Sequence, residues 1–371
     1  MKSIIYVGMD VHKDTYSLCS FDAKRNLLFS QTQMKSTTEN VVRYLKKVSE
    51  MNNGALTVCG YEAGPTGFRL CRELQKLGFA CVIMAPASIA KTARDKAVKT
   101  DKSDAQMLAK TLAFHSYKEV VLPSENIEAI KEIVRMRCSV NKSCKRAKQY
   151  LLSFLLGHGF SYSDGKYWTV KFSSWLKTIH FASEYLTFCF EEYLTEVTRQ
   201  IQRLAQLDAK LKELESDDEI KDGVSRLKCI CGIDTVTDVS LVAETGDFNR
   251  FRAAKNFANY TGLCPGKHSS GLTDRDTGIT KQGNSYLRRL LIEAAESVKR
   301  SASHGHKSKR ILSRQEGASS EVINYADRAA ARIRMKMNHL ERRGLNCNKA
   351  ATAGARELAC FAWGMMTENI I

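Results

Sequence analysis

Four carboxylates in this chain are spaced for work on a phosphodiester: Asp10 and Glu62 each close an apolar run, and Asp101 and Asp104 lie three residues apart. Magnesium takes hard oxygen ligands and needs several of them converging from separate segments, which is what a two-metal phosphodiester-cleaving site requires. A spacing of three puts Asp101 and Asp104 on one helical face. The plainer role for that pair is structural, with Asp101 capping a helix and Asp104 complementing its dipole in the first turn. Two further acids at strand ends shift the balance toward metal binding.

The elements that must position these acids follow from the hydrophobic pattern. Residues 4–9 read as a buried strand, and residues 16–21 and 27–31 as two more strands of a meander, separated by the polar turn 22–26. Val41, Val42, Tyr44, Leu45 and Val48 recur at helical spacing within residues 38–51. Residues 55–60 form a strand that runs into Glu62. Gly64-Pro65-Thr66-Gly67 then opens a helix with Pro65 in its first turn. Residues 80–84 make a fifth strand, and residues 97–109 start another helix. Three strands in a meander, then alternating helix and strand, is the order of an α/β RNase H-like domain, whose open sheet brings Asp10 and Glu62 together at strand ends.

Three stretches, Val7-Gly8-Met9-Asp10-Val11-His12-Lys13, Tyr61-Glu62-Ala63-Gly64-Pro65-Thr66-Gly67 and Lys99-Thr100-Asp101-Lys102-Ser103-Asp104-Ala105, closely resemble the DEDD insertion-sequence transposases. These are bridge-RNA-guided recombinases with a RuvC-like domain. The resemblance implies that Asp10, Glu62, Asp101 and Asp104 hold the divalent metals, Mg2+ or Mn2+. It covers nearly the whole chain. The stretches 260–271 and 278–289 are similar to the family's second domain, which supplies a nucleophilic serine just before a glycine. That match points to Ser270, and the residues by themselves do not separate it from Ser269.

A serine in a glycine-flanked loop can be presented closely to a phosphate, and Lys267, Arg275, Lys281, Arg288 and Arg289 are placed in sequence to neutralise pentacovalent charge. A serine hydroxyl is a weak nucleophile and needs a metal or a base to activate it. Without the resemblance these serines read as ordinary loop residues.

Composition agrees with a polyanionic partner. The 57 Lys and Arg against 40 Asp and Glu give a formal charge of +17, which draws a protein to nucleic acid. The 371 residues, 43 % of them hydrophobic, suffice for more than one core. Twelve scattered cysteines, with no secretory leader, read as reduced core thiols. The spacings Cys229/Cys231 and His304/His306 do not match a structural zinc site. No apolar run approaches a membrane span, so the expected location is cytoplasmic, of bacterial or archaeal type and nucleoid-associated.

Beyond Pro123, two long helical patterns stand out. The first has an apolar stripe of Ile127, Ile130 and Val134 and is strongly basic through Arg135, Arg137, Lys142, Lys145, Arg146 and Lys148. The second, residues 183–215, carries Leu194, Val197, Ile201, Leu204, Leu207, Leu211 and Leu214 near a heptad seam. Residues 157–177, rich in Gly, Ser, Tyr and Trp, read as a loop between them. The expected result is a helical coiled-coil hairpin that associates with a second copy, as a dimer or tetramer, its basic helix facing nucleic acid.

The stretch 227–237 looks like a helix-hairpin-helix turn, with Asp234 where such hairpins usually carry a second glycine, so it reads equally as a packing turn. A last helical region from residue 321 onward combines Arg328, Arg332, Arg334, Lys336, Arg342, Arg343 and Lys349 with apolar Leu358, Cys360, Phe361, Trp363 and Met365.

The expected architecture is therefore an α/β RuvC-like domain (1–122), a central helical region (123–220) and a mainly α domain carrying the serine (221–371). The leading reading is a metal- and serine-dependent DNA recombinase; the resemblance adds a structured guide RNA that chooses the sequences. Two others stand beside it: a metal nuclease of the junction-resolving kind, which needs the four acids but not Ser270, and a binding protein that has lost catalysis.

Overall fold

The computed structural model describes residues 3–89, 100–270, 273–301 and 307–370, with the side chains of Ala87 and of residues 267–276 outside that description. The chain divides into two compact units, Met1–Leu122 and Pro123–Ile371.

The first unit is built on a five-stranded sheet of order β3-β2-β1-β4-β5. Its strands are β1 (Ile4–Val11), β2 (Thr15–Asp22), β3 (Leu27–Lys35), β4 (Leu56–Glu62) and β5 (Ala80–Met84). β1, β2 and β3 form the antiparallel meander, while β4 runs parallel to both β1 and β5. Alternation within β1 decides what covers each face. Ile5, Val7 and Met9 point into a core shared with Val41, Leu45 and Val48 of α1 (Thr38–Met51) and Leu70 and Leu74 of α2 (Arg69–Lys76). Each of these buried aliphatic side chains contributes roughly 2 kcal/mol of hydrophobic transfer energy.

The opposite face of the sheet carries α3 (Asp101–Ala113). Glycine makes that contact possible. A Cβ on Gly8 would come within 2.2 Å of the Ala105 carbonyl oxygen and of the Ala109 nitrogen, and one on Gly60 would press on Leu112 at 3.3 Å. The helix thus lies with its backbone almost against the strands.

Two local expectations are corrected here. Pro65 is not in the first turn of a helix: α2 begins at Arg69, and Gly67 adopts φ +68 in the turn before it. β3 also runs four residues further than its apolar pattern, to Lys35, and Gln31 within it ties the strand to α3: its Nε2 donates to the Lys102 carbonyl and its Oε1 accepts from Gln106.

In the second unit, α4 (Glu125–Gly157) and α6 (Glu184–Leu214) run antiparallel. Ile130 and Val134 share a cluster with Leu211 at one end, Arg137 bonds Asp208 at 2.7 Å, and Leu151 and Leu155 pack with Val197 and Phe190 at the other. The seam is less regular than the heptad reading: Ile201 is 43 % exposed, and Gln200 is buried in its place with Oε1 unpartnered. The segment expected as a loop contains α5 (Val170–Leu176), capped by Thr169. Phe172 sits in a cluster of aromatic rings with Tyr162, Tyr167, Trp168 and Trp175 at centroid distances of 5.0–5.5 Å. The aromatic surface buried by those rings outweighs the turn preference of the intervening glycines and serines.

The rest of the unit is helical around one core. It comprises α7 (Lys221–Leu227), α8 (Thr235–Thr245), α9 (Ala254–Tyr260), α10 (Ser285–Arg300), α11 (Lys309–Gln315), α12 (Ser320–Arg342) and α13 (Cys347–Met366), with one two-stranded hairpin of β6 (Pro265–Ser270) and β7 (Thr273–Ile279). α12 and α13 approach closely because Ala329, Ala330, Ala351 and Ala355 leave little between them. The turn before α8 is a packing turn. Gly232, at φ +89, sits where a Cβ would meet the Ala294 carbonyl oxygen at 2.5 Å, and Asp234 caps α8 by accepting from Thr237. Among the described residues, no helix is long and apolar enough to cross a membrane, and the cysteines are free thiols. His304 and His306 lie outside the described residues.

Candidate active site

Asp10 and Asp101 come together at the carboxyl end of β1, with Asp104 near enough to act on Asp10 and Glu62 at the end of the adjacent strand. Asp10 is the penultimate residue of β1 and shares with Gly8 the face that α3 covers. Glu62 is the last residue of β4, one step beyond the paired residues Met9 and Tyr61 and opposite Met84 of β5. Neighbouring strands lie about 4.8 Å apart, so Asp10 and Glu62 stand side by side at the carboxyl ends of parallel strands, the usual location of a site in an open α/β sheet. Glu62 also shares its face with Gly60.

Asp101 and Asp104 are in the first turn of α3. The helix is capped not by Asp101 but by Thr100, whose hydroxyl accepts from the Ser103 nitrogen while the Ser103 hydroxyl accepts from the Thr100 nitrogen. That reciprocal capping box satisfies the helix end and leaves the Asp101 carboxylate for another purpose. Residues 97–99 of the predicted helix start lie outside the described residues.

The geometry is tightest around Asp10. His12 Nε2 lies 3.1 Å from Asp10 Oδ2 and 3.8 Å from Asp101 Oδ1, and one ligand atom from each of Asp10, His12 and Asp101 falls within 4.8 Å of the others. Burial pushes the Asp10 carboxyl above its ordinary range; His12 opposes that shift, while the Asp104 and Asp101 carboxylates add to it. Carboxylates held close enough to disfavour each other's ionisation form a site that a divalent cation relieves. Oxygen donors from β1 and from α3 fit a hard divalent cation. His12 was within the sequence motif yet had no role assigned. Its signal is position: two residues after Asp10, it emerges on the same side of the chain.

The second predicted site is carried by the β6–β7 hairpin. Ser270 is the last residue of β6 and pairs with Thr273, while Ser269 pairs with Asp274. The serine is therefore at a strand end rather than in an irregular loop. The side chains of Lys267, Ser269, Ser270 and Arg275, and all of Gly271, lie outside the described residues. The feet of the hairpin are well defined. Thr280 N donates to the Cys264 carbonyl at 2.9 Å and Lys281 N to that of Gly262 at 3.2 Å.

The other predicted cations differ in availability. Lys281 is exposed. Arg288 Nη1 donates to the carbonyls of Thr261 and Lys281, and Arg289 Nη2 donates to Cys138 Sγ while its guanidinium stacks over Tyr286. On α4, Arg135 and Arg137 are bonded to Glu244 and Asp208, and Lys148 lies over the Trp168 ring, whereas Lys142, Lys145 and Arg146 face solvent. On α12, Arg332 and Lys336 pair with Glu357, and Arg334, Asn338, His339 and Arg342 line an open trough of about 320 Å³.

Comparison with known proteins places these two sites in one context. Residues 7–159, which contain all four acids, match the DEDD transposases of the IS110 type, and residues 224–310, which contain the hairpin, match the transposase IS116/IS110/IS902 family. The chain is 31 % identical over 347 residues to the transposase for insertion sequence element IS1533 of Leptospira borgpetersenii, covering 92 % of this chain and 98 % of that one. It is 24 % identical over 375 residues to the transposase for insertion sequence element IS1111A of Coxiella burnetii, covering 100 % and 91 %. With its strand-end acids and its carboxyl-terminal domain both matched, the chain belongs to the IS110/IS116/IS902 family of transposases, enzymes that cleave and transfer DNA.

Proposed function

We propose that this transposase cuts and rejoins DNA with divalent metal held by Asp10, Glu62, Asp101 and Asp104 and with Ser270 as nucleophile. The observation that carries the reading is the convergence of Asp10 and Asp101 at one sheet edge, with Asp104 close enough to perturb Asp10 and Glu62 on the adjacent strand. The mixed five-stranded sheet, with its antiparallel meander and parallel β4 and β5, supports an RNase H-like, RuvC-like assignment for the first unit. Bound Mg2+ or Mn2+ supplies Lewis acidity toward the scissile phosphate and charge neutralisation of the leaving oxygen.

The protein's own groups do the rest. The Ser270 Oγ–phosphorus bond forms as a phosphorus–sugar oxygen bond breaks; the serine proton passes to a base, and the departing sugar oxygen gains one. The resulting phosphoserine keeps the phosphodiester's bond energy, so attack by a new sugar hydroxyl reseals DNA and restores the serine without ATP. Lys267, Arg275 and Lys281 offset phosphate charge near the hairpin. Arg288 and Arg289 act within the protein fold. Solvent-facing Lys142, Lys145 and Arg146 provide backbone contacts, which position nucleic acid without reading its sequence. Sequence choice therefore falls to another component, and a structured guide RNA paired with target and donor fits that role. Residues 123–220 serve as a helical coiled-coil arm for self-association into a dimer or tetramer, residues 221–371 as the serine-bearing domain, and the complex acts in the cytoplasm at the nucleoid.

The test is a covalent trap. Protein is incubated with duplex DNA spanning one end of the element that encodes it, the transcript of the flanking noncoding DNA, and Mg2+ or Mn2+, then denatured and digested. A phosphopeptide containing Ser270 is expected. Strand cleavage that persists unchanged in Ser270→Ala overturns the serine role in favour of the junction-resolving nuclease, and activity that survives Asp10→Ala removes the metal site from the chemistry.

A further inference from the structure

We infer that Arg288 and Glu244 are positioning residues that clamp the base of the β6–β7 hairpin and so set the direction in which it presents Ser270. The inference rests on the serine reading above and concerns residues to which that reading gives no part.

The hairpin leaves the helical body between Cys264 and Thr280, and the two legs below it are bound together through a small set of contacts. Arg288 Nη1 donates to Thr261 O on one leg at 3.0 Å and to Lys281 O on the other at 3.1 Å. One guanidinium nitrogen thus bridges both legs. The legs are so close that only glycine fits at two positions. Gly262, at φ +69, would place a Cβ 2.3 Å from Gln282 O and 2.6 Å from Arg288 Nη1 itself, and Gly283, at φ +99, would place one 2.1 Å from Tyr260 O. Between them Lys281 adopts φ +55, a left-handed conformation that a long side chain takes up only where its surroundings impose it.

Glu244 ties this base to the long helix. It is buried, and its carboxylate takes Arg135 Nε at 2.7 Å and Nη2 at 3.1 Å from α4, together with Asn284 Nδ2 at 3.1 Å. Asn284 is the residue that caps α10 through its Oδ1, and its backbone nitrogen donates to Tyr260 O. A buried carboxylate with three charge-assisted or amide donors is held in a single orientation. The chain of contacts Arg135–Glu244–Asn284–Tyr260 therefore fixes one leg to α4 and α8, and Arg288 fixes that leg to the other. A two-stranded ribbon is marginally stable alone, so its direction is determined by its base.

The alternative role for Arg288 is a phosphate contact, and lysine separates the two. Lysine keeps the charge but loses the planar fork that spans two carbonyls. In Arg288→Lys, the single-turnover cleavage rate at saturating DNA, measured with the duplex and transcript described above, is expected to fall about 100-fold, the scale of an ångström-sized misplacement of a reacting group. The dissociation constant and its salt dependence stay within about twofold, and hydrogen exchange at the Thr280 and Lys281 amides accelerates while exchange in α10 and α13 does not. Glu244→Gln, which keeps the acceptor for Asn284 and loses the ionic contact with Arg135, gives a smaller fall in the same rate. In Arg288→Gln, which removes the charge, weaker binding with a salt slope reduced by about one and an unchanged saturated rate would mark Arg288 as a phosphate contact and overturn the inference. An unchanged rate and binding would also overturn it. A lysine variant as active as wild type beside an inactive Ser270→Ala defeats the clamp alone, whereas an active Ser270→Ala defeats the serine reading and the clamp with it.

Discussion

The two proposed sites of this transposase are built on opposite principles. The acidic site draws its residues from long, regular elements: Asp10 and Glu62 from adjacent parallel strands, Asp101 and Asp104 from a helix seated directly on Gly8 and Gly60. The proposed Ser270 site is a short ribbon, β6 and β7, whose two legs are bridged at the base by Arg288. A site meant to hold cations gains from rigidity at every ligand, because a ligand displaced by an ångström is lost. A nucleophile of the kind proposed would gain from a ribbon with a fixed base.

That contrast can be tested by attacking each design where it is strongest. Asp10→Asn and Ser270→Ala are expected to reduce strand cleavage most, each by at least about a hundredfold, the scale of removing one preorganised charged or polar group from a reacting centre. They should differ in Mn2+ binding, measured by calorimetry, which is lost only in the first. Gly8→Ala comes next. Its Cβ cannot be placed without moving α3, so a loss of about 1–3 kcal/mol in stability is expected together with weakened Mn2+ binding. Chemical denaturation of the wild type and variant measures the first, and retained Mn2+ affinity in a destabilised Gly8→Ala would show that the helix is not what aligns the acids.

Thr100→Ala removes the cap from the turn that carries Asp101 and should cost about 1 kcal/mol. Its effect on Mn2+ affinity should be smaller than that of Gly8→Ala, since the packed part of α3 stays in place.

The effect on the site itself is smallest for the last test, which concerns the second unit and pH. Burial, followed by the Glu215 carboxylate, pushes Asp238 up to about 8. A carboxyl whose folded value is raised binds its proton more tightly in the native state. Stability from this group is therefore present at low pH and declines as pH rises from its ordinary value near 3.8 toward about 8, by on the order of 1 kcal/mol per pH unit at most. Thermal unfolding of Asp238→Asn between pH 5 and 9 should show a flatter pH dependence than wild type, and an equal slope in both would dismiss Asp238 as its source.

The legibility of the sequence followed the same division. Strands β1 to β5 announced themselves because each alternates or runs apolar against a packed face, and the acids at their ends were readable for that reason. The sequence could not show that Thr100 rather than Asp101 caps α3, since both residue types cap helices and only the geometry separates them. His12 was hidden by its exposure and by lying next to a better-known kind of ligand. The hairpin at Pro265–Ile279 was read as a loop because Gly266, Lys267, His268, Ser269 and Ser270 offer no apolar alternation; its two strands pair through the backbone. Residues 157–177 failed in the other direction. Their glycines and serines suggested a turn, while the aromatic side chains among them supply enough surface to build a small core around Phe172. Charge at Arg288 and Arg289 is visible in the sequence, whereas their partners, the Thr261 and Lys281 carbonyls for Arg288 and the Cys138 sulfur for Arg289, are not.

The buried Gln200 on α6 carries a final implication. Its Nε2 donates to Glu196 one turn back on the same helix, while its Oε1 is a buried acceptor without a partner, which weakens the pairing. Exchanging it for leucine should raise the melting temperature of the helical pair, so the native residue holds the arm below the strength its length would allow.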